Sequence, residues 1–299
     1  MTTLDPGPRR RPATAPTALG RAPRGVLRPV LTAVTCAVLV AVFVGPLWAV
    51  LSTAFDAGTP TPGRLSFWPG SFTADHLVTA WRDHSVWRYF LNSAIVVSAA
   101  LFLQVSVSAL AAYALARKRF RGAAAVLFVI LTTMMLPEEV IAIPLYLVLG
   151  DLPLLNVNLL NTYAGMVLPL VGWAFSIFVL TQFMREIPVE LEEAARVDGA
   201  GELRIFAQVM VPLIRPALAT VTVFGFLMIW DQYLLPLIVA QDTEMLTLPV
   251  ALRALRQNDL VSSSVLMAAA LIALIPTVAV YLGIQRHFTR GLVSGAVKG

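Results

Sequence analysis

The chain has 299 residues, of which 58% are hydrophobic and only 13% are charged. A soluble domain carries roughly 25% charged residues, so this composition argues against an ordinary soluble enzyme and favours an integral membrane protein. The formal net charge of +5 comes from arginines in the N-terminal tail and beside the apolar runs, with no aromatic residues between them. This distribution is typical of orientation signals, and we therefore expect no nucleic-acid partner.

Residues 1–28 are rich in Pro, Arg, Ala and Thr and contain few large apolar residues. Such a segment cannot bury enough surface to offset the entropy lost on ordering, so a disordered basic cytoplasmic tail is predicted. Residues 29–54 follow as the first transmembrane helix. They lack a small-residue cleavage site, so an uncleaved span is expected.

Six apolar stretches have about the length needed to cross roughly 30 Å of hydrocarbon. Because lipid offers no partner to free backbone groups, and no strand-like alternation is present, helices are expected. The predicted fold class is an all-α integral membrane protein with six transmembrane helices. The stretches are Val30–Leu51, Tyr89–Leu115, Ala123–Leu149, Tyr163–Phe183, Ala217–Ala240 and Val265–Gly283.

The positions of Lys and Arg predict the orientation. Of the 22 basic residues, 17 fall on the side of the N-terminus and five on the other side. Because cytoplasmic segments carry the excess of positive charge, both termini are predicted to be cytoplasmic. Residues 55–87 are then an extracytoplasmic loop, residues 286–299 a cytoplasmic C-terminal tail, and the polar loop 185–216 lies in the cytoplasm.

Sequence motifs for catalysis are absent from the chain. A phosphate-binding loop needs GxxxxGK[ST], whereas the only two lysines are Lys118 and Lys298, followed by Arg and Gly. Neither HExxH nor GxSxG occurs. We therefore expect no enzyme activity, cofactor or metal site, and the energy for any transport must come from a partner or an ion gradient.

Three acidic residues fall inside apolar stretches. Glu138 and Glu139 follow Pro137 in the third stretch, and Asp231 lies in the fifth. One interpretation is local capping of a broken helix, and another is a place in a substrate pathway. An ion-coupled secondary transporter with these three acids as coupling groups is the alternative function.

The loop from Pro188 to Pro216 is a segment of mixed charge that lies between two long apolar runs. Acidic residues after Pro188 suit the start of a helix, and Asp198-Gly199 suits its end. A second segment, Glu202–Val211, is predicted to place Leu203, Phe206 and Met210 on one face. The residues alone leave two interpretations open, a surface hairpin and a docking element.

The loop also carries a family signature. E-A-A-x-x-D-G-A, then Phe206 and x-P-L-x-x-P, resembles the EAA signature of permease subunits of binding-protein-dependent ABC transporters. SALAAYALARKRFRG, MLPEEVIAIPLYL and the closing QRHFTRGLVSGAVKG are similar to the carbohydrate-uptake, maltose-type (MalFG) family. The chain departs from the family at Gly201, where Ser is common, and at Trp230–Ile238, where the family shows W-N-E-F.

The resemblance implies a type I ABC importer permease fold, with residues 88–285 as the permease domain and 185–216 as its coupling loop. It implies a sugar importer of the bacterial cytoplasmic membrane that works by alternating access. The implied partners are a second homologous permease subunit, two cytoplasmic subunits that bind and hydrolyse ATP, and an extracytoplasmic solute-binding protein. The implied ATPase-coupling residues are Glu193, Ala194, Ala195, Asp198, Gly199 and Ala200. The implied substrate-pathway residues are Glu138, Trp230, Asp231 and Gln232.

Overall fold

A computed structural model describes residues 27–58, 66–153 and 156–296, with side chains from residue 29 to residue 283 within these ranges. Residues 1–26 of the predicted tail therefore lie outside the described residues. The chain divides into two units, residues 1–48 and 49–299. The described part of the first unit consists of helix α1 (Leu27–Ala54), which continues into the second unit.

Helices make up nearly all of the second unit, and its described residues contain only two isolated β-bridges. Short 3₁₀ turns cover Leu168–Leu170 and Thr243–Met245, and Phe206–Met210 is π-helical. The helices are α2 (Asp75–Arg82), α3 (Val86–Arg117), α4 (Ala123–Thr133), α5 (Glu138–Gly150), α6 (Tyr163–Val167), α7 (Ala174–Glu186), α8 (Glu190–Val197), α9 (Glu202–Ile205), α10 (Val211–Leu213), α11 (Arg215–Trp230), α12 (Leu234–Val239), α13 (Leu248–Arg256) and α14 (Ser263–Ala296).

Three helical segments are individually long and apolar enough to cross a membrane, namely Pro29–Ala54, Val86–Arg117 and Ser263–Gly283. Three bent pairs also qualify, which gives up to six spans if each pair counts as one. The bends are 103° between α4 and α5, 41° before α7 and 78° before α11. The all-α membrane class is thus confirmed, while the count of six stays a prediction.

The bend between α4 and α5 has a local cause. Pro137 lacks a backbone N–H and disfavours helical geometry in the residue before it, so α4 cannot run on. It takes an extended conformation as the N-cap of α5. Glu138 and Glu139 then occupy the first turn of α5, where the helix dipole favours negative charge. A similar interruption at residues 231–233 divides the predicted span Ala217–Ala240 into α11 and α12.

Helix α3 is the central element of the second unit. Its N-terminal half contributes Val96, Val97 and Ala100 to the larger buried cluster, which also includes residues of α11, α12 and α14. Its C-terminal half contributes Ala109 and Ala112 to a second cluster with residues of α7, α11 and the segment before α11. The small side chains let neighbouring helices pack closely, as is common in membrane proteins.

The two ends of α3 hold different parts of the chain. Near its N-terminus, the Asn92 side chain donates to the carbonyls of Glu244 and Leu246 at 2.8 and 2.9 Å. Ser93 Oγ accepts from the N–H of Leu248, the first residue of α13, at 2.8 Å. The last residue of α3, Arg117, contacts α8. At ~1.5 Å per residue, Ser93 and Arg117 are separated by about 36 Å, enough to cross the hydrocarbon core.

Gly165 in α6 is expected to be intolerant of any side chain. A Cβ atom there would lie 2.2 Å from the carbonyl oxygen of Leu159 and 3.1 Å from Val239 Cγ1. Because the nearest atom belongs to the backbone, Gly165→Ala should lower the free energy of unfolding by ~3 kcal/mol, at the upper end of typical overpacking costs. Thermal unfolding in detergent would measure the loss. Gly172→Ala is the matched control, since a Cβ there has nothing within 4 Å. Equal melting temperatures of the two variants would contradict the prediction.

Candidate functional site

Helix α8 is the element that the sequence singles out, and its charges explain where it forms. Glu190, Glu192 and Glu193 lie in its first turn, and Arg196 lies in its last turn. Both placements complement the helix dipole. The helix begins at Glu190, two residues after Pro188, so the proline precedes the first turn.

A glycine corner ends α8. Gly199 has a φ of +82°, a left-handed conformation that residues with a Cβ rarely adopt. The N–H of Ala200 donates to the carbonyl of Ala195 at 2.9 Å, and the N–H of Gly199 donates to the carbonyl of Arg196 at 3.1 Å. These two bonds are those of a Schellman motif, with Asp198 as the C-cap.

The predicted coupling residues come together at this corner. Glu193, Ala194, Asp198 and Gly199 are exposed, whereas Ala195 and Ala200 are half-buried. The neighbouring apolar residues Leu191 and Val197 are also exposed, Val197 to 88%. A short helix that presents small and apolar side chains to solvent has the character of a contact surface rather than of a satisfied core helix.

A buried ion pair holds the opposite side of α8. Arg117 Nε lies 2.7 Å from Glu192 Oε1, and the two side chains are only 6% and 7% exposed. The N–H does not align with the oxygen, so this contact is an ion pair rather than a hydrogen bond. Arg117 Nη2 also donates to the carbonyl of Ile187 at 2.6 Å. The end of α3 is thereby tied to α8 and to the residue after α7.

Glu202, the first residue of α9, makes a second contact between the loop and the end of α3. Its carboxylate accepts from Tyr113 Oη at 2.9 Å, from Arg196 Nη2 at 3.3 Å, and from Lys118 Nζ. These donors, Lys118 first and Tyr113 next, hold the pKa of the Glu202 carboxyl below its usual range. Lys118 also lies 5.2 Å from the centre of the Tyr113 ring. Both helices of the loop are therefore fastened to the same end of α3.

The π-helical turn changes the packing of the second helix. Leu203 is 79% exposed, whereas Ile205 and Met210 are fully buried. The prediction that Leu203, Phe206 and Met210 share one face is therefore wrong for Leu203, whereas Phe206 packs against the buried cluster that contains Met210. A π-turn pairs residues five apart and shifts the face by one residue, which brings Ile205 and Met210 to the same side.

Two of the predicted pathway residues line one cavity. Glu138 and Gln232 both border a space of about 140 Å³ whose other walls are apolar side chains of α5, α12 and the turn before α7. Each residue lies at a helix break, Glu138 at the start of α5 and Gln232 between α11 and α12. The two breaks thus bring a carboxylate and an amide together within a largely apolar wall.

The other two predicted pathway residues lie elsewhere. Trp230 is 5% exposed, and its indole N–H donates to the carbonyl of Ala273 at 3.2 Å. Its ring packs against Phe90 and Phe226 with centroids 5.6 and 5.8 Å apart. Asp231 is exposed and does not line the cavity.

Sequence reasoning missed the residues that fasten α8. In the sequence, Arg117 and Lys118 belong to the basic residues that indicate orientation, and Glu192 belongs to the acidic residues that suit the start of a helix. Their local context contains no sign of the pairing, because the partners are far apart in the chain. Among the described residues, no group of three or more His, Cys, Asp and Glu could hold a metal ion.

Comparison with known families matches the part of the chain that contains α8 and the cavity at Glu138 and Gln232. The family described as "Binding-protein-dependent transport system inner membrane component" matches residues 104–294. This range includes α8, the glycine corner and the cavity at Glu138 and Gln232, but begins after the first helices of the chain.

Curated relatives match most of the chain. The diacetylchitobiose uptake system permease protein NgcG of Streptomyces coelicolor is 35% identical over 263 residues, which is 87% of this chain and 85% of the relative. The melibiose/raffinose/stachyose import permease protein MelC of Bacillus subtilis is 32% identical over 284 residues, 93% of this chain and 100% of the relative.

A solved structure has a similar fold. It belongs to a bacterial ABC transporter involved in the import of the acidic polysaccharide alginate. The matched chain is 26% identical, with a TM-score of 0.76, and the match covers 87% of this chain and 96% of that one.

Proposed function

Because the chain belongs to the family of binding-protein-dependent transport system inner membrane components, we propose that it is a membrane-spanning permease subunit of an ATP-driven carbohydrate importer. The names of the relatives support the carbohydrate substrate, since NgcG and MelC take up oligosaccharides. The chain itself is a non-catalytic transport subunit of the membrane, and ATP is bound and hydrolysed by separate partner subunits.

The observation that supports the proposal is that α8 has one side exposed to solvent and the opposite side held by an ion pair to α3. The exposed side of α8 offers Ala194 and Val197 to a partner, while Glu192 on its buried side is paired with Arg117. When the ATP-binding subunits close, they push α8, and the ion pair transmits the displacement to α3. Because α3 is a continuous helix of 32 residues, it carries the movement along its length. This supports alternating access, in which rigid elements reorient around a central site.

The topology in this proposal has six spans and cytoplasmic termini. Helix α8 then faces the ATP-binding subunits, and α2 and α13 lie on the extracytoplasmic side, where a solute-binding protein delivers the sugar. A second homologous permease subunit completes the pathway. The distribution of Lys and Arg supports this orientation, as does the placement of α8 and α13 at opposite ends of α3.

Glu138 and Gln232 form the pathway site in this proposal. A carboxylate accepts hydrogen bonds and an amide both donates and accepts, which suits the hydroxyl groups of a sugar. Helix breaks in membrane proteins leave backbone groups free to face a substrate. Trp230 stabilises the break at residues 231–233 through its hydrogen bond to the carbonyl of Ala273, and Asp231 lies at the start of this break.

The alternative is an ion-coupled carrier that uses Glu138, Glu139 and Asp231. Such a carrier needs no exposed docking helix on α8. Its three acids should also share one site, whereas Glu138 lines the cavity and neither Glu139 nor Asp231 does. Membership of the family also does not favour it.

Transport in proteoliposomes tests the proposal. The chain is reconstituted with its partner permease, ATP-binding subunits and binding protein, and uptake of labelled diacetylchitobiose and melibiose is measured. We expect uptake of a carbohydrate only when ATP is supplied on the face that bears α8 and the binding protein is loaded. Uptake by the chain alone under a proton or sodium gradient, abolished by Glu138→Gln, would overturn the proposal and establish the carrier.

A further inference from the structure

We propose that a groove between α13 and α14 binds the phosphate group of an anionic phospholipid, with Arg253 and Arg256 as its counter-charges. The groove lies at the end of α3 opposite to α8, because Ser93 near the N-terminus of α3 holds the start of α13. This inference goes beyond the proposed function, since it assigns a site for a lipid rather than for the sugar. In the proposed topology the lipid belongs to the outer leaflet of the membrane.

One face of α13 forms most of the groove. The volume is about 640 Å³, within the ~300–1,000 Å³ that sites for small molecules usually occupy. The lining residues of α13 recur at the spacing of a single helical face, so the whole face is turned to the groove. They are Pro249, Leu252, Arg253, Arg256 and Gln257. The face is apolar at its start and polar at its end, as the two parts of a lipid require.

The wall that α14 contributes suits an acyl chain. Leu266 and Ala270 line the groove and belong to the candidate membrane span Ser263–Gly283. At ~1.5 Å per residue they lie roughly 5 and 10 Å from the start of this span. Both are half-buried, whereas Val265 and Ala268 on the other face of the helix pack into the core. An acyl chain is a better complement to this apolar wall than the hydroxyl groups of a sugar, which would lose hydrogen bonds there.

The polar end of the groove is cationic. Arg253 and Arg256 lie in the last turn of α13, and both are exposed. The guanidinium carbon of Arg253 is 5.8 Å from the centre of the Tyr233 ring, which also lines the groove and holds this arginine beside it. Neither arginine forms an ion pair with a described residue. Two guanidinium groups with free N–H donors are complementary to phosphate oxygens, which Arg binds in a bidentate manner.

The acidic residues nearest in the chain do not neutralise this charge. Glu244 lies 2.8 Å from Arg88 Nη1, and Asp242 accepts from the side chain of Asn161. Asp259 is exposed and does not line the groove. The dipole of α13 favours positive charge at its C-terminus, but a partial charge of about −0.5 cannot balance two arginines. The remaining positive charge favours a lipid with net negative charge over a zwitterionic lipid, whose ammonium group the arginines would repel.

Lipid binding to the assembled transporter tests the assignment. Phosphatidylglycerol and phosphatidylcholine with the same acyl chains are titrated in detergent, and the bound lipids are counted by native mass spectrometry. We expect tighter binding of phosphatidylglycerol, roughly 10-fold. Arg253→Gln/Arg256→Gln should weaken its binding roughly 20- to 30-fold, because each basic residue near an anionic lipid contributes about fivefold. Arg82→Gln is the matched control, since Arg82 is an exposed arginine of α2 that does not line the groove.

A second test locates the lipid with both arginines intact. Phosphatidylglycerol with a photoreactive diazirine in its acyl chain should label the peptide that contains Leu266 and Ala270, and the double variant should lose this label. Equal affinities for the two lipids, or equal affinities of the double variant and Arg82→Gln, would overturn the inference. Competition by glucuronate in place of lipid would show a site for a soluble acidic sugar and would also overturn it. None of these readouts depends on ATP-driven uptake, so their failure leaves the proposed function unaffected.

Discussion

Replacing Arg117 by Met is expected to lower the free energy of unfolding by about 3–5 kcal/mol. The substitution leaves the Glu192 carboxylate buried at 7% exposure without a counter-charge, which is far costlier than losing an exposed pair. It also removes the donor to the carbonyl of Ile187. Thermal unfolding of the purified chain in detergent measures the loss. Arg121→Met is the control, because Arg121 is exposed and forms no ion pair with any described residue.

The double variant Arg117→Met/Glu192→Leu separates stability from coupling. Replacing both charges by apolar groups removes the unpaired carboxylate, so most of the lost stability should return. Transport driven by ATP should nevertheless stay impaired, because the link from α8 to α3 is gone. The ratio of sugar transported to ATP hydrolysed, measured in the assembled transporter, reports this link. A double variant that couples as well as the unmodified transporter would show that the ion pair has only a structural role.

Gly199→Val is expected to insert normally and to lose most ATP-driven uptake. With φ at +82°, a β-branched residue costs about 1–3 kcal/mol in backbone strain and would change the direction of the chain after α8. No atom lies within 4 Å of a Cβ built at this position, so the effect comes from the backbone rather than from a clash within the chain. Uptake and ATP hydrolysis by the same proteoliposomes measure the uncoupling.

Gly199→Asn is the control for this mechanism, since Asn tolerates the left-handed region better than other residues with a side chain. We expect it to retain a substantial part of the coupled uptake. Equal losses in the Val and Asn variants would mean that Gly199 works through the close approach of a partner, and would contradict the conformational explanation. Normal uptake by Gly199→Val would contradict both.

The sequence by itself determined the features that depend on neighbouring residues. Hydropathy along the chain predicts membrane helices, because each must bury its own backbone bonds in lipid. Pro137 predicts the interruption before α5, and Asp198-Gly199 predicts the end of α8, because proline and glycine act on the local backbone. The six coupling residues that the resemblance implies are nearly contiguous in the chain, so they lie close together.

Only the tertiary structure decided which distant side chains meet. The pair Tyr113 and Glu202 is 89 positions apart, and neither residue carries a local pattern that announces the other. The Arg117–Glu192 ion pair and the shared cavity of Glu138 and Gln232 likewise arise because helices from different parts of the chain pack side by side. Leu203 does not share the face of Met210, because the π-turn between them shifts the register of the residues that follow Leu203. Periodicity describes a regular helix, but packing decides where that regularity is interrupted.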